Sequence, residues 1–313
     1  MAQAVATRDA YGQALVEVGQ RHPEMVVLDA DLAGSTRTEK FGAKWPERFF
    51  DMGISEQDMM CTAAGLAASG KLVFCSSFAI FGTRAWEQVR NTVARGNFRI
   101  VLALTHAGLS VGEDGASAQA CEDVAAMRII PNMKVVVPAD GNQTLAVIRY
   151  LADSPDITGP TYVRLGRAKM PLVMPADVSF AFGRSDELRT GNDVAIVACG
   201  AMVELALEAA DILAKEGVSA RVINMASVKP LDEEAVVRAV TETRGIVTAE
   251  EHTILGGLGA AVAEVVCERH PAPVRRVGVR DTFGESGPPE ALFKKYGLTA
   301  DRIVEEAKVI LGG

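Results

Sequence analysis

The chain reads as an α/β protein built of two doubly wound units in tandem, the second smaller than the first. Three observations predict this. Short apolar runs alternate with helix-period segments along all 313 residues, glycines stand at the joins, and a proline-punctuated stretch divides the alternation in two. A chain of this length can bury two separate cores.

The elements follow in order. Thr7 is placed to cap a helix whose apolar face uses Ala10, Ala14, Leu15 and Val18. Met25 to Leu28 is a short buried-type strand. Ser55 opens a helical stretch that stops at Gly70, a good residue just past a helix end. Leu72 to Cys75 is strand, Thr83 to Arg95 helix and Ile100 to Leu104 strand. Met127 to Ile130 closes another helix, Lys134 to Val137 is strand, Asn142 to Leu151 helix, and Tyr162 to Leu165 ends the first set. The stretch from Pro171 through Pro175 to the Gly183 region reads as a linker, giving units over residues 1–170 and 189–313 with residues 171–188 between.

The second set runs strand Val194 to Ala198, helix Val203 to Lys215, strand Ala220 to Ile223 and helix Asp232 to Thr241. Strand Ile246 to Ala249, helix Leu258 to Glu268, strand Val274 to Val279 and helices near Pro289 to Lys295 and Thr299 to Leu311 complete it. Alternation of this kind implies mainly parallel sheets covered on both faces.

Composition narrows the function. Forty acidic against 32 basic residues leave a net charge of −8, which argues against a nucleic-acid partner while allowing a local basic pocket. No apolar run approaches the roughly 18 residues that a membrane helix needs. Met1 to Asp9 lacks the apolar core of a secretory leader. Cys61, Cys75, Cys121, Cys199 and Cys267 are scattered without a C-x-x-C pair and read as buried, reduced thiols of a cytoplasmic protein.

In an open parallel sheet, ligands bind beyond the carboxyl ends of the strands. The unusual residues collect at those ends. Asp29-Ala30-Asp31-Leu32-Ala33-Gly34-Ser35 follows the first strand and Ser76 to Phe81 the next. Thr105-His106 leads into Gly112-Glu113-Asp114-Gly115, and Arg167 follows Leu165. Each residue also has an ordinary reading. Asp31 and Asp114 suit turns, Phe78 and Phe81 suit a core, His106 suits a structural hydrogen bond, and Glu56 suits a helix start. Gly256-Gly257-Leu258-Gly259 resembles a phosphate loop only loosely and reads better as glycine for helix packing. No H-E-x-x-H, P-loop or G-x-S-x-G occurs, and no metal ligand set is expected.

Taken together, Asp29-Ala30-Asp31-Leu32-Ala33, Gly53-Ile54-Ser55-Glu56, Gly112-Glu113-Asp114-Gly115 and Thr282-Phe283-Gly284-Glu285-Ser286 resemble the pyrimidine-binding and C-terminal domains of the transketolase family. Ile130-Pro131-Asn132-Met133 and Pro138-Ala139-Asp140 fit the same pattern, so the likeness spans essentially the whole chain. It implies a thiamine diphosphate enzyme subunit. Glu56 would match the glutamate that hydrogen-bonds N1′ of the cofactor's aminopyrimidine, sharing a proton in a dry pocket. Phe78 and Phe81 would line the pyrimidine pocket, and Asp31 would lie in the cofactor and subunit-contact region. Arg8, Ser35, His106 and Arg167 would grip a sugar phosphate, and Asp114 would read a substrate hydroxyl. His106 joins Glu56 as a catalytic candidate.

The departures carry their own expectations. Ser117-Ala118-Gln119 stands where the family usually has Thr-His-Gln, so a histidine near the donor carbonyl is missing at Ala118. Arg84 stands where a pyrimidine-pocket tyrosine is common. The Gly-Asp-Gly motif that holds Mg²⁺ (or Ca²⁺) and the cofactor diphosphate does not occur, and single-chain transketolases are about twice as long. The resemblance therefore implies a split enzyme: a C-terminal subunit needing an N-terminal, diphosphate-binding partner, most simply as α₂β₂. The expected reaction moves a two-carbon ketol unit from a ketose phosphate to an aldose phosphate. Two alternatives stand beside it: an acyloin-forming relative such as deoxyxylulose-phosphate synthase, and a catalytically silent scaffold subunit.

Overall fold

The computed structural model describes residues 4–312 and contains two main sheets. Met1–Gln3, on which the leader reading partly rests, and Gly313 lie outside the described residues. Strand β1 (Ala4–Ala6) leads into helix α1 (Thr7–Arg21). Strands β2 (Met25–Asp29), β3 (Phe49–Asp51), β4 (Leu72–Ser76), β5 (Ile100–Leu104), β6 (Lys134–Val136) and β7 (Thr161–Arg164) form the first sheet with parallel pairing. Helices α2 (Glu56–Ala68), α3 (Asp123–Arg128) and α4 (Gly141–Asp153) lie between them in the chain. Every residue of β2, β4 and β5 is buried, as expected of apolar strands covered on both faces.

The region expected to be a linker starts and ends in strand. Strand β8 (Lys169–Pro171) pairs antiparallel with β1, and β9 (Asp186–Arg189) forms an antiparallel edge of the second sheet. That sheet also holds β10 (Val194–Ala198), β11 (Ala220–Asn224), β13 (Ile246–Thr253) and β14 (Val274–Val279), in the order β14-β13-β10-β11-β9. Strand β12 (Ser227–Lys229) crosses back and adds antiparallel to β6, so the first sheet runs β12-β6-β7-β5-β4-β2-β3. Helices α5 (Met202–Lys215), α6 (Glu233–Glu242), α7 (Leu258–Arg269), α8 (Pro289–Lys295) and α9 (Ala300–Leu311) complete the chain.

Several local expectations need correction. Thr7 is the first residue of α1, and Ala6 holds the cap position without a side-chain bond. Thr7 Oγ1 instead accepts from the Gly166 amide at 2.7 Å, tying the helix start to the loop after β7. The single helix expected over Thr83 to Arg95 is a succession of 3₁₀, α and π turns, at Thr83–Ala85, Trp86–Gln88 and Val89–Ala94. Hydrophobic period alone cannot separate these windings, which differ by one residue per hydrogen bond. Cys75, Cys121 and Cys199 are buried, but Cys61 and Cys267 are exposed on helical faces that the apolar context did not reveal. No helix among the described residues is long and apolar enough to cross a membrane.

The two units share buried polar contacts. Arg164 on β7 donates to Asp123 Oδ2 at 2.7 Å and to the Glu251 carbonyl at 2.9 Å, while the Ser110 amide donates to Glu251 Oε1 at 2.6 Å. Burial by itself would raise the Asp123 carboxyl, but the adjacent Arg164, with His252, outweighs it and holds it below the usual range. Glu251 lacks such close compensation, and burial pushes it up.

Candidate functional site

Strand order reverses between β2 and β4: the chain steps from β2 outward to β3, then returns to β4 on the other side. Such a reversal opens a crevice at the carboxyl ends of the strands. A cleft of about 220 Å³ lies there, lined by Ala30, Asp31, Leu32, Ile54, Glu56, Phe81 and Arg84. The loops that shape it are fixed by two acids, one buried and one exposed. Asp29 accepts from the Leu32 amide at 2.7 Å, Thr36 Oγ1 at 2.6 Å and Thr38 Oγ1 at 2.8 Å. Burial outweighs these bonds and raises the Asp29 carboxyl to about 6. Asp51 Oδ1 accepts from the amides of Asp31 and Gly53 at 3.1 and 2.9 Å, joining the loops after β2 and β3. Asp31 sits at φ 62°, a conformation uncommon outside glycine.

Glu56 is the first residue of α2 and is 4% exposed. Among the described residues its carboxylate makes no hydrogen bond; its one ionic neighbour is Arg84, with Nε 3.5 Å from Oε2. The Arg84 side chain is 70% exposed. A buried carboxylate left with acceptor capacity, facing an aromatic wall, is a ready partner for a flat heterocycle that carries a ring nitrogen.

A second group of residues adjoins this cleft through stacked rings. Phe81 and Phe78 have centroids 5.5 Å apart, and Phe78 stacks on His106 at 3.7 Å. Arg8 Nη1 donates to His106 Nε2 at 3.1 Å and to the Ser35 carbonyl at 3.0 Å. Since guanidinium can only donate, Nε2 accepts and the ring proton resides on Nδ1, which donates to Thr105 Oγ1 at 2.8 Å. Burial, then Arg8, Arg167 and Arg37, depress the His106 pKa to about 3, so the ring is neutral at neutral pH. Burial and the like charges of Arg37 and Arg167 also hold Arg8 below its ordinary value against the pull of Asp9. A partly buried Arg8 beside a neutral imidazole, with Arg37 and Arg167 nearby, forms a site that an anion would relieve.

The expected site residues are thus largely brought together. Asp31, Glu56 and Phe81 line the cleft, and Phe78 joins it to the cationic group rather than lining it. Arg8, Ser35 and His106 meet, with the Ser35 carbonyl rather than its hydroxyl taking the Arg8 bond. Arg167 Nη1 donates to the Val111 carbonyl at 2.6 Å and lies 3.3 Å from Asp114 Oδ1, so these two charges satisfy one another here. Ala118 is buried and absent from the cleft wall.

Arg37 was not anticipated. It stands at φ 71° and donates from Nε to Asp9 at 2.7 Å, close enough to act electrostatically on both Arg8 and His106. Nothing in its local sequence marks it, because only the fold brings residues 8, 37, 106 and 167 together. Two sequence motifs also prove to be one structural unit. Gln119 Nε2 donates to the carbonyls of Gly112 and Glu285 at 3.2 and 2.9 Å, and a Cβ at Gly284 would stand 1.9 Å from Gln119 Oε1. Among the described residues no group of three or more His, Cys, Asp or Glu side chains could hold a metal ion.

The architecture and the cleft define a tandem α/β protein with an open pocket at the switch point of its first sheet. Comparison with known proteins makes this specific. The profile of the transketolase pyrimidine binding domain matches residues 3–172, and that of the transketolase C-terminal domain matches residues 183–303. A putative transketolase C-terminal section from Methanocaldococcus jannaschii is 45% identical over 309 residues, covering 96% of each chain. A 6-deoxy-6-sulfo-D-fructose transketolase subunit from a Clostridium species is 41% identical, covering 96% of this chain and 92% of its own length. A solved structure described as a split gene transketolase, inactive beta4 tetramer, superposes with a TM-score of 0.92 at 51% identity, over 98% of this chain and 99% of that one. The chain belongs to the transketolase family, and within it corresponds to the C-terminal section.

Proposed function

We propose that this chain is the pyrimidine-side, substrate-gripping subunit of a two-subunit transketolase that moves a two-carbon ketol unit between anionic sugars. The observation that carries the proposal is the pairing of a buried, unbonded Glu56 carboxylate with an arginine–histidine group, joined by the Phe81–Phe78–His106 stack. The cleft fits the aminopyrimidine end of thiamine diphosphate: a carboxylate for a ring nitrogen, Phe81 for the ring face, and Ala30, Leu32 and Ile54 for its apolar edge. When bound, the cofactor supplies a nucleophilic carbon and an electron sink for breaking a ketose carbon–carbon bond.

Each residue has a task in this reading. Glu56 holds a proton at the ring nitrogen, in a position from which bulk water is excluded. Phe81 fixes the ring plane. Arg8, with His106 and Arg167, binds the terminal anion of the sugar, so that the reacting carbon is placed by contacts remote from it. The Clostridium relative is described as acting on a sulfonated sugar, which agrees with an anion site rather than one tied to phosphate alone. Neutral His106 accepts a hydrogen bond from Arg8 in the free chain and can take a substrate hydroxyl in its stead. Asp114 is proposed to read a substrate hydroxyl once Arg167 turns to the anion.

The diphosphate and its Mg²⁺ or Ca²⁺ are assigned to an N-terminal partner subunit, because the Gly-Asp-Gly motif is lacking in this sequence. A homologous chain described as an inactive β₄ tetramer supports the need for that partner, and α₂β₂ is the assembly proposed. Residues 1–170 and 189–313 are proposed as the two domains, with the pyrimidine site wholly in the first. The test is reconstitution. The purified chain and a Gly-Asp-Gly-bearing partner, mixed with thiamine diphosphate, Mg²⁺, a ketose phosphate and ribose 5-phosphate, should transfer two carbons, whereas either chain alone should not. Transfer that survives Glu56→Gln would sink the assignment.

A further inference from the structure

The Arg84 guanidinium occupies a place at the cleft that nothing in the proposed reaction uses. It stands on a 3₁₀ turn, Thr83–Ala85, fixed by Thr83 Oγ1 donating to the Ile80 carbonyl at 2.6 Å. A Cβ on the preceding Gly82 would lie 2.3 Å from Leu104 Cδ1, so a glycine is needed to bring this turn against β5. The turn therefore aims Arg84 across the cleft mouth, where its Nε lies 3.5 Å from Glu56 Oε2. The two partners are unlike. Glu56 is buried, with no other ionic neighbour, while Arg84 is mostly in water and held by nothing else among the described ion pairs and hydrogen bonds.

We propose that Arg84 is a displaceable latch: it compensates the buried Glu56 carboxylate while the cleft is empty, and an aminopyrimidine must push it aside to reach that carboxylate. This rests on the assignment of the cleft to the pyrimidine end of thiamine diphosphate. Two features of the pair make it displaceable. The separation exceeds that of a good charge-assisted hydrogen bond, and the exposed guanidinium regains full hydration when it leaves. Both ligands want the same carboxylate, since Arg84 and Glu56 line one cleft together with Phe81 and Leu32. The latch keeps a buried charge compensated until a heterocycle arrives, and sets a threshold on cofactor capture that the partner's grip on the diphosphate must exceed.

The test uses the full-length chain alone, titrated with thiamine, which carries the aminopyrimidine without the diphosphate. Saturation-transfer and chemical-shift NMR read such binding even at millimolar affinity. Arg84→Ala and Arg84→Gln should each bind thiamine about three- to fivefold tighter than wild type at low salt, in keeping with an exposed pair. The gap should close at high ionic strength, because exposed charges are screened. It should also vanish when Glu56→Gln is added, because the latch has then lost its partner. Equal or weaker binding by Arg84→Ala, or a gap that persists beside Glu56→Gln, overturns the latch. The underlying reading is separated by comparing Arg84→Ala with Arg84→Ala plus Glu56→Gln. Unchanged affinity between these two, or no saturation transfer to thiamine in any variant, would remove the cofactor assignment and the latch with it. A clear weakening there, with Arg84→Ala equal to wild type, would remove the latch alone.

Discussion

Two helix starts among the described residues meet a buried glutamate, Glu250 reaching α7 from β13 and Glu56 standing on α2 itself, and the two are used in opposite ways. At α7, Glu250 Oε2 and Oε1 accept from the amides of Leu258 and Gly259 at 2.7 and 2.8 Å, and His252 lies 3.6 Å away. The glycine loop that loosely resembled a phosphate cradle does bind an anion, but the anion is the chain's own side chain. The loop is close-fitting: a Cβ at Gly257 would stand 2.0 Å from Glu250 Oε2. At α2, Glu56 is nearly as buried, yet it caps nothing and bonds to no amide among the described residues. Burial is therefore a poor guide to function by itself. What separates a structural carboxylate from a working one is whether the fold has already filled its acceptor sites.

The sharpest way to break this comparison is to neutralise each acid in turn. Glu56→Gln should lower two-carbon transfer in the reconstituted enzyme by about 10²–10⁴-fold, the range of positioned acid–base groups, and leave the melting temperature nearly unchanged. Glu250→Gln should do the reverse. It replaces two charge-assisted bonds and should cost roughly 2–3 kcal/mol in denaturant unfolding, while the folded fraction keeps its turnover. A large loss of stability in Glu56→Gln would place both acids in the structural class.

Smaller effects test the cationic group beside the cleft. Arg167→Ala should raise KM for phosphorylated acceptors by the equivalent of about 1.5–3 kcal/mol, with a lesser effect on uncharged sugars. Equal effects on both would remove Arg167 from the anion site. The mildest prediction concerns acid. His106 titrates near 6.5 when unfolded and near 3 when folded, so between these values the unfolded chain binds the extra proton. Its contribution to stability is complete above about pH 6.5 and is lost as the pH falls toward 3, by at most about 1.4 kcal/mol per pH unit. Asp29, raised to about 6, works in the opposite direction between about pH 4 and 6. Urea unfolding of wild type and His106→Gln across this range should show a shallower acid loss in the variant. Identical slopes would mean that the ring is not held neutral.

Much of the fold was legible because strands buried on both faces must be apolar throughout. Ile100–Leu104 and Val194–Ala198 appear as expected for that reason. Asp232 and Thr299 stand where helices were expected to begin, and both side chains accept from first-turn amides as caps. Thr7 failed the same test because a distant loop at Gly166 claimed its hydroxyl, a competition that local sequence does not record. The windings between Thr83 and Ala94 were hidden too, since 3₁₀, α and π turns leave nearly the same hydrophobic pattern.

The site divides along the same line. Residue type and position relative to strand ends were enough to single out Asp31, Phe81 and His106, because the carboxyl edge of a parallel sheet is where chain topology allows a ligand, whereas Glu56 and Arg8 entered through the family resemblance. The sequence by itself thus determined the α/β class, the family and the chemical inventory of the cleft. Only the tertiary structure decided which charges are already satisfied. It pairs Arg167 with Asp114, draws Arg37 toward Arg8, fills the Gly257 loop with Glu250 and sets Arg84 against Glu56. The physical reason is that a side chain's spare bonding capacity depends on neighbours far away in the chain, and no local pattern encodes those.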